Sequence, residues 1–132
     1  MGSKMEIKIL KHWCRELGEF EIAIINAKEI TNIRNIDDPY FWNHHKYSHN
    51  DYLSLAQRST ILYDGWKAGK SAEDMLICPY SASVARVYFV WPHIITVDWC
   101  PDGLYNFTGD GRHRIRAAQE LDLYIPVIVH KR

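Results

Sequence analysis

The sequence predicts an α+β fold, a compact single domain in which a mixed sheet carries packed helices. Three observations predict it. Residues 20–25 alternate Phe20, Ile22 and Ile24 against Glu21, Ala23 and Ile25, the pattern of a strand with one well-buried face. Between residues 48 and 76 the apolar side chains recur at three- and four-residue spacing, which is helical. Residues 104–129 read as strand, glycine turn, helix, short loop and strand. The chain has 132 residues, enough to bury a full core without staples. Hydrophobic residues make up 47% of it and aromatics 13%, which excludes disorder.

Taken in order, Met1-Gly2-Ser3-Lys4 ahead of Met5 reads as an expression leader, leaving residues 5–132 as one domain. Ile7, Ile9 and Leu10 suggest a short first strand, with an irregular or helical connection over residues 12–18. Residues 20–25 form the next strand, residues 28–36 are ambiguous, and Asp37-Asp38-Pro39 marks a turn before the cluster Tyr40-Phe41-Trp42. Ser48 or Asn50 can cap a helix with Asp51 in its first turn. Tyr52, Leu55, Ala56, Ser59, Leu62, Tyr63 and Trp66 form its apolar face, and Gly65 or Gly69 ends it. Ser71 with Asp74 resembles a capping box and starts a second short helix through Leu76. Strands follow at 84–91, 94–99 and 104–107, the last two joined by a Pro101-Asp102-Gly103 turn. No repeat or linker interrupts the chain.

The segment with the most chemistry begins at Gly109-Asp110-Gly111. Two glycines permit a tight turn, and the helix that follows opens with Arg112, His113 and Arg114. Cations in a first turn oppose the helix dipole, so their placement calls for a reason other than helix stability. Unpaired backbone N–H groups and basic side chains meeting at a helix N-terminus make an anion site, most simply for phosphate. Ile115, Ala118, Leu121 and Leu123 bury the opposite face, Ala117 and Ala118 allow close packing on a sheet, and Arg116 and Glu120 are spaced to pair. Pro126 implies a strand start or an edge, because it cannot donate a ladder hydrogen bond.

Gly111-Arg112-His113-Arg114, then Ala117-Ala118, Leu121 and Ile125-Pro126-Val127-Ile128-Val129, resembles the nucleotide-handling motif of the ParB/sulfiredoxin superfamily. With Phe41-Trp42-Asn43-His44-His45, Tyr52, Leu55, Ala56 and Val87-Tyr88-Phe89, the chain from residue 39 to 129 is similar to the small ParB-like modules of bacterial polymorphic toxins. The resemblance implies a compact α+β domain whose glycine turn and basic pair hold nucleotide phosphates. Sulfiredoxins have Gly-Cys-His-Arg at this turn. Arg112 stands in place of that cysteine, so sulfinic acid reduction is not expected. Chromosome-partitioning members carry a helix-turn-helix domain after the motif, whereas this chain ends three residues after Val129, so DNA partitioning is not expected either.

The candidate phosphate- or nucleotide-binding residues are thus Gly109, Gly111, Arg112, His113, Arg114 and Trp42, with His113, His44, His45 and Asp110 as candidate catalytic groups. The imidazoles can move a proton near neutral pH, and Trp42 offers a ring for a base to stack on, although an aromatic in such a cluster equally serves a core. Asp110 can shape the turn, bind a ribose hydroxyl or position Mg2+ accompanying a nucleotide. His45 and His49 stand four apart, but no third fixed ligand accompanies them and no metal site is assigned. Glu29 follows the second strand, and no motif gives it a role.

With 16 basic and 16 acidic residues there is no global field toward nucleic acid or acidic membranes, so any polyanion site is local. Cys14, Cys78 and Cys100 are odd in number and lack a CxxC spacing, which argues against a disulfide framework or zinc cluster and for a reducing cytoplasm. No apolar run approaches the roughly 20 residues of a membrane span.

Three readings remain open. One is a phosphate-chemistry enzyme, a nucleotide hydrolase, phosphotransferase or nuclease. As a toxin-type effector it would act in the cytoplasm of a target cell, brought there by a separate carrier and paired with an immunity protein. The second is a nucleotide-dependent binding module without turnover. The third is a structural ParB-like domain.

Overall fold

A computed structural model describes residues 20–43, 46–89, 94–109 and 111–130. The expected first strand, the leader, His44, His45 and Asp110 lie outside the described residues. The fold is α+β. Strands β1 (Phe20–Asn26), β2 (Ile30–Thr31), β3 (Thr96–Trp99), β4 (Tyr105–Phe107) and β5 (Tyr124–His130) form one mixed sheet in the order β1-β5-β3-β4-β2. β1 and β5 pair antiparallel, β5 and β3 parallel, β3 and β4 antiparallel, and β4 and β2 parallel. Helices α1 (His49–Arg58), α2 (Thr60–Lys67), α3 (Ala72–Ile77) and α4 (Ala82–Phe89) lie between β2 and β3, and α5 (Arg112–Glu120) between β4 and β5. No helix among the described residues is long and apolar enough to cross a membrane.

The alternation in β1 foretells one buried face, but Ile22, Ala23, Ile24 and Ile25 are all buried, and so are Ile125, Val127 and Ile128 opposite them. This pair therefore reads as a continuous apolar run, as strands buried on both faces do, although β1 stands at one end of the described sheet. Pro126 sits in this interior strand and not at an edge. The strand tolerates it because of where its ring nitrogen points. Ile128 N–H donates to the Ile95 carbonyl on the β3 side, and the β3 ladder begins only at the Thr96–Ile128 pair. Pro126, two residues earlier and facing the same way, meets no ladder acceptor among the described residues.

Residues 84–89 belong to helix α4, where the sequence predicts a strand. Val84, Ala85, Tyr88 and Phe89 are buried, a helical face, and the Ala85 N–H donates to the Ser81 carbonyl at 2.8 Å. β-Branched and aromatic content mimics a strand here, and packing against α3 overrides that preference. The single helix expected from residue 48 is two. Ser59 is fully buried at their junction, and its hydroxyl donates to the Ala56 carbonyl at 2.6 Å, a side-chain bond that competes with the backbone ladder.

Helix starts α1 and α3 follow the sequence closely. The Ser48 hydroxyl accepts from the Asp51 N–H and the Asp51 carboxylate from the Ser48 N–H, and Ser71 and Asp74 repeat this reciprocal box. Gly69, at φ +87°, closes α2: the Lys70 N–H reaches the Gly65 carbonyl and the Gly69 N–H the Trp66 carbonyl.

Helix α5 lies over the start of the sheet. The Gln119 amide donates to the carbonyls of Ala27 and Ile30, and the Ala27 N–H donates to the Leu123 carbonyl. Ile115, Ala117 and Ala118 are completely buried. These ties leave the first turn of α5 projecting from the end of β4 toward α1 and α4.

Candidate functional site

Gly111 is the N-cap of α5 at φ +101°, a conformation that β-carbon-bearing residues rarely adopt, and it brings no capping side chain. A β-carbon there would come within 2.8 Å of Ile95 Cγ1 and of an Arg114 guanidinium nitrogen. At Gly109 a β-carbon would collide with the Thr96 hydroxyl. Both glycines are thus needed for close approach, and at Gly111 also for backbone angle.

The three basic side chains of the first turn diverge. The Arg112 guanidinium donates to the Arg34 carbonyl at 3.2 Å and lies 5.2 Å over the Phe41 ring. His113 Nε2–H donates to the Phe41 carbonyl at 2.6 Å, which places a proton on that nitrogen because a carbonyl can only accept. Arg114 donates to the Val87 carbonyl at 3.0 Å and its guanidinium lies 5.7 Å from the centre of the Tyr88 ring. His113 and Arg114 are only 9% and 8% exposed, so the positive end of α5 is embedded in the fold.

Beside this turn opens a cavity of about 970 Å³. Gly111, His113 and Arg114 line it from α5, Val87 from α4, Asp51, Tyr52, Ser54, Leu55 and Arg58 from α1, and Lys46 and Tyr47 from the segment before α1. The glycine turn and two of its three basic residues therefore face a common space. Gly109, Arg112 and Trp42 are not among the described residues that line it.

Aromatic rings form the floor around His113. Its ring centre lies 4.6 Å from Phe41, 5.2 Å from Tyr52 in a stacked arrangement and 5.8 Å from Trp42. Trp42 stacks on the His49 ring at 3.8 Å and meets Phe41 edge-on at 5.0 Å, so His49 occupies one of its faces. His49 Nε2 also meets the Glu120 carboxylate at 3.1 Å, tying the start of α1 to the end of α5. The Tyr88 hydroxyl is buried, with the Ser59 hydroxyl beside it but no well-formed hydrogen bond among the described residues. Burial pushes its pKa up, opposed by the nearby charge of Arg114, then by the Ser59 hydroxyl and, more weakly, by the charge of Arg58.

Lys46, Tyr47, Asp51 and Arg58 were not singled out as site residues from the sequence. For Asp51 and Arg58 the signal lies in α1. Asp51, Ser54, Leu55 and Arg58 stand at i, i+3, i+4 and i+7, one helix face, and three of the four are polar where a packed helix would be apolar. Trp99 and Asp102 behave as hairpin residues: the Asp102 carboxylate accepts from the Leu104 N–H, and Trp99 is half exposed, whereas Asp98 lies within the β3–β4 ladder with one carboxylate oxygen buried. Set against protein-family models, curated proteins and solved structures, the chain gives no match.

Proposed function

We propose that the protein is a phosphate- or nucleotide-handling domain, with the cavity at the start of α5 taking a phosphorylated ligand whose phosphate lies against Gly111 and Arg114. The observation that carries this reading is the convergence of an αL glycine turn, an embedded helix N-terminus and the side chains of Lys46, Arg58 and Arg114 on one space. A cavity of about 970 Å³ has room for a nucleoside beside the phosphate. Tyr47 and Tyr52, 6.0 Å apart and edge to face, supply ring surface for a base. The ParB/sulfiredoxin-like motif accords with this assignment and belongs to the same proposal, as does action on a target cell's nucleotides after delivery by a carrier.

A binding module without turnover is the second reading, and the environment of His113 favours it. Its Nε2–H is committed to the Phe41 carbonyl, so a proton-transfer role at that nitrogen requires breaking a 2.6 Å hydrogen bond. Under the enzymatic reading the proton carrier comes from His44, His45 or Asp110.

The test is thermal unfolding with a panel of nucleotides and short RNA, each with and without Mg2+. A ligand at a hundred times its dissociation constant adds about 2.7 kcal/mol to the folded state. Arg114 is too buried for alanine to be clean, so Arg114→Gln is the informative variant, retaining a donor for the Val87 carbonyl. It weakens a phosphorylated ligand by about 1.5–3 kcal/mol, the worth of a hydrogen bond to a charged group. Product analysis of the stabilising ligand then separates turnover from binding. Indifference of the wild type to every phosphorylated ligand would sink both readings.

A further inference from the structure

We infer that the part of this cavity lined by α1 recognises hydroxyl groups, Asp51 and Ser54 taking two neighbouring hydroxyls of the ligand, so that the cavity selects a ribose phosphate over its 2-deoxy counterpart. The inference rests on the proposed reading of the cavity as a site for a phosphorylated ligand.

Position carries the first step. His49, at the start of α1, reaches Glu120 at the end of α5, while Tyr52 stacks on His113 at the beginning of α5, so the two helices run antiparallel. Asp51 and Ser54 stand on either side of Tyr52 in the chain, and both line the cavity along with Gly111, His113 and Arg114. Residues three apart on a helix are surface neighbours, with β-carbons about 5–6 Å from each other. Two polar groups at that spacing are within reach of adjacent substituents on one sugar ring.

The second step is the bonding capacity that each side chain retains. One oxygen of the Asp51 carboxylate accepts from the Ser48 N–H at 2.8 Å, closing the cap of α1. That bond orients the carboxylate, and its other oxygen accepts no hydrogen bond and meets no cation among the described residues. Further along, the Ser59 and Thr60 hydroxyls turn back onto the Ala56 and Gln57 carbonyls. The Ser54 hydroxyl makes no such bond among the described residues, and Ser54 is exposed.

Chemistry supplies the third step. A carboxylate repels a phosphate, so Asp51 has no part in holding that group, and as an acceptor only it takes a hydrogen-bond donor. A serine hydroxyl both donates and accepts. Side by side the two suit a vicinal diol, one hydroxyl donating to the carboxylate and the other exchanging a hydrogen bond with Ser54. Acidic side chains hold ribose hydroxyls in the same manner in dinucleotide-binding folds.

The experiment is calorimetric titration of the full chain at neutral pH with inorganic phosphate, ribose 5-phosphate and 2-deoxyribose 5-phosphate. Wild type, Ser54→Ala, Asp51→Asn and Arg114→Gln are compared. None of the three ligands carries a base, so a preference between the two sugars belongs to the hydroxyl. The expected result is at least a tenfold preference of the wild type for ribose 5-phosphate, the worth of a hydrogen bond to a charged group. Ser54→Ala and Asp51→Asn each lose most of that preference. Both keep their thermal midpoints, because the Ser54 hydroxyl holds nothing among the described residues and asparagine retains an acceptor for the Ser48 N–H. The 2-deoxy sugar binds Ser54→Ala as it binds the wild type, and binds Asp51→Asn somewhat more tightly, since a repelling charge is gone. An Asp51 that acts only as a cap and a charge would raise the affinity of Asp51→Asn for all three ligands alike and leave the preference intact, which overturns the inference. Equal affinity of the wild type for the two sugars, with both weakened in Arg114→Gln, also overturns it but leaves the phosphate reading standing. Inorganic phosphate binding as tightly as ribose 5-phosphate shows that the hydroxyls add nothing, with the same consequence. Failure of all three ligands to bind removes the phosphate reading and the inference together.

Discussion

Helices α1 and α5 pack against each other and are nearly equal in length, yet their ends follow opposite rules. α1 opens with a capping box and Asp51 in its first turn and ends with Arg58, so its charges agree with its dipole at both ends. α5 opens on an uncapped glycine followed by Arg112, His113 and Arg114, and it ends with Glu120 and then Asp122. Its charges oppose the dipole at both ends. Each reversed charge has a partner outside the helix: the Arg34, Phe41 and Val87 carbonyls at one end, His49 and Asn26 at the other. Helix stability dictates the ends of α1, and tertiary contacts dictate those of α5. A helix start freed from stability rules in this way, with a cavity beside it, is where the binding proposal belongs.

The strongest way to break the comparison is at the α5 N-cap. Gly111→Ala adds the cost of a left-handed non-glycine residue, about 1–2 kcal/mol, to overpacking against Ile95 and Arg114, about 1–3 kcal/mol. Gly103 is the control, since it has φ +87° and nothing within 4 Å of an added β-carbon. Urea midpoints should therefore place Gly111→Ala well below Gly103→Ala, with the difference reporting close approach alone. Equal losses would mean that the α5 turn is no tighter than an exposed hairpin turn.

A smaller effect sharpens the other side. Ser71→Ala removes the cap of α3, the box that most resembles that of α1 but lies away from the cavity, and costs about 1 kcal/mol. Phosphate affinity should be unchanged, because that cap serves the helix only. A loss of affinity comparable with that of Arg114→Gln would show that capped and uncapped helix starts are not separable in role.

How far the sequence foreshadows this depends on whether the signal is local. The capped helix starts near Ser48 and at Ser71, the existence of β1 and the helix after Gly111 are written within a few residues and are legible, whereas the burial of both faces of β1 is not. α4 was not, because Val84, Val87, Tyr88 and Phe89 favour a strand until α3 is in place beside them. Pro126 pointed to an edge, since the staggered start of β3 that accommodates it is a property of the assembled sheet. The same holds at the candidate site. Gly111, His113 and Arg114 announce themselves, whereas Lys46 and Arg58 become partners only through the antiparallel packing of α1 on α5. His113 was expected to be available for proton transfer, and its commitment to Phe41 depends on a carbonyl far away in the chain.

The smallest effect is expected at the other end of α5. Asp122 sits at φ +55° just past the helix, where the Asp122 N–H reaches the Gln119 carbonyl and the Leu123 N–H the Ala118 carbonyl, a helix stop usually built on glycine. A carboxylate at a helix C-terminus should be disfavoured, yet the Asn26 amide at 3.1 Å and then the Lys28 ammonium hold its pKa below the ordinary 3.8. A depressed folded-state pKa means that the charged form stabilises the fold above pH 3.8, and that this contribution is lost as pH falls through the lower folded value. Asp122→Asn keeps the backbone, since asparagine tolerates this conformation, and keeps an acceptor for Asn26, but it loses the attraction to Lys28. Wild type should exceed the variant slightly at neutral pH, with the gap closing in acid and shrinking in high salt, because both partners are exposed. Urea midpoints between pH 7 and pH 3 read this directly. A gap that widens in acid would mean that the dipole governs Asp122 after all, and that the two ends of α5 are not set by the same principle.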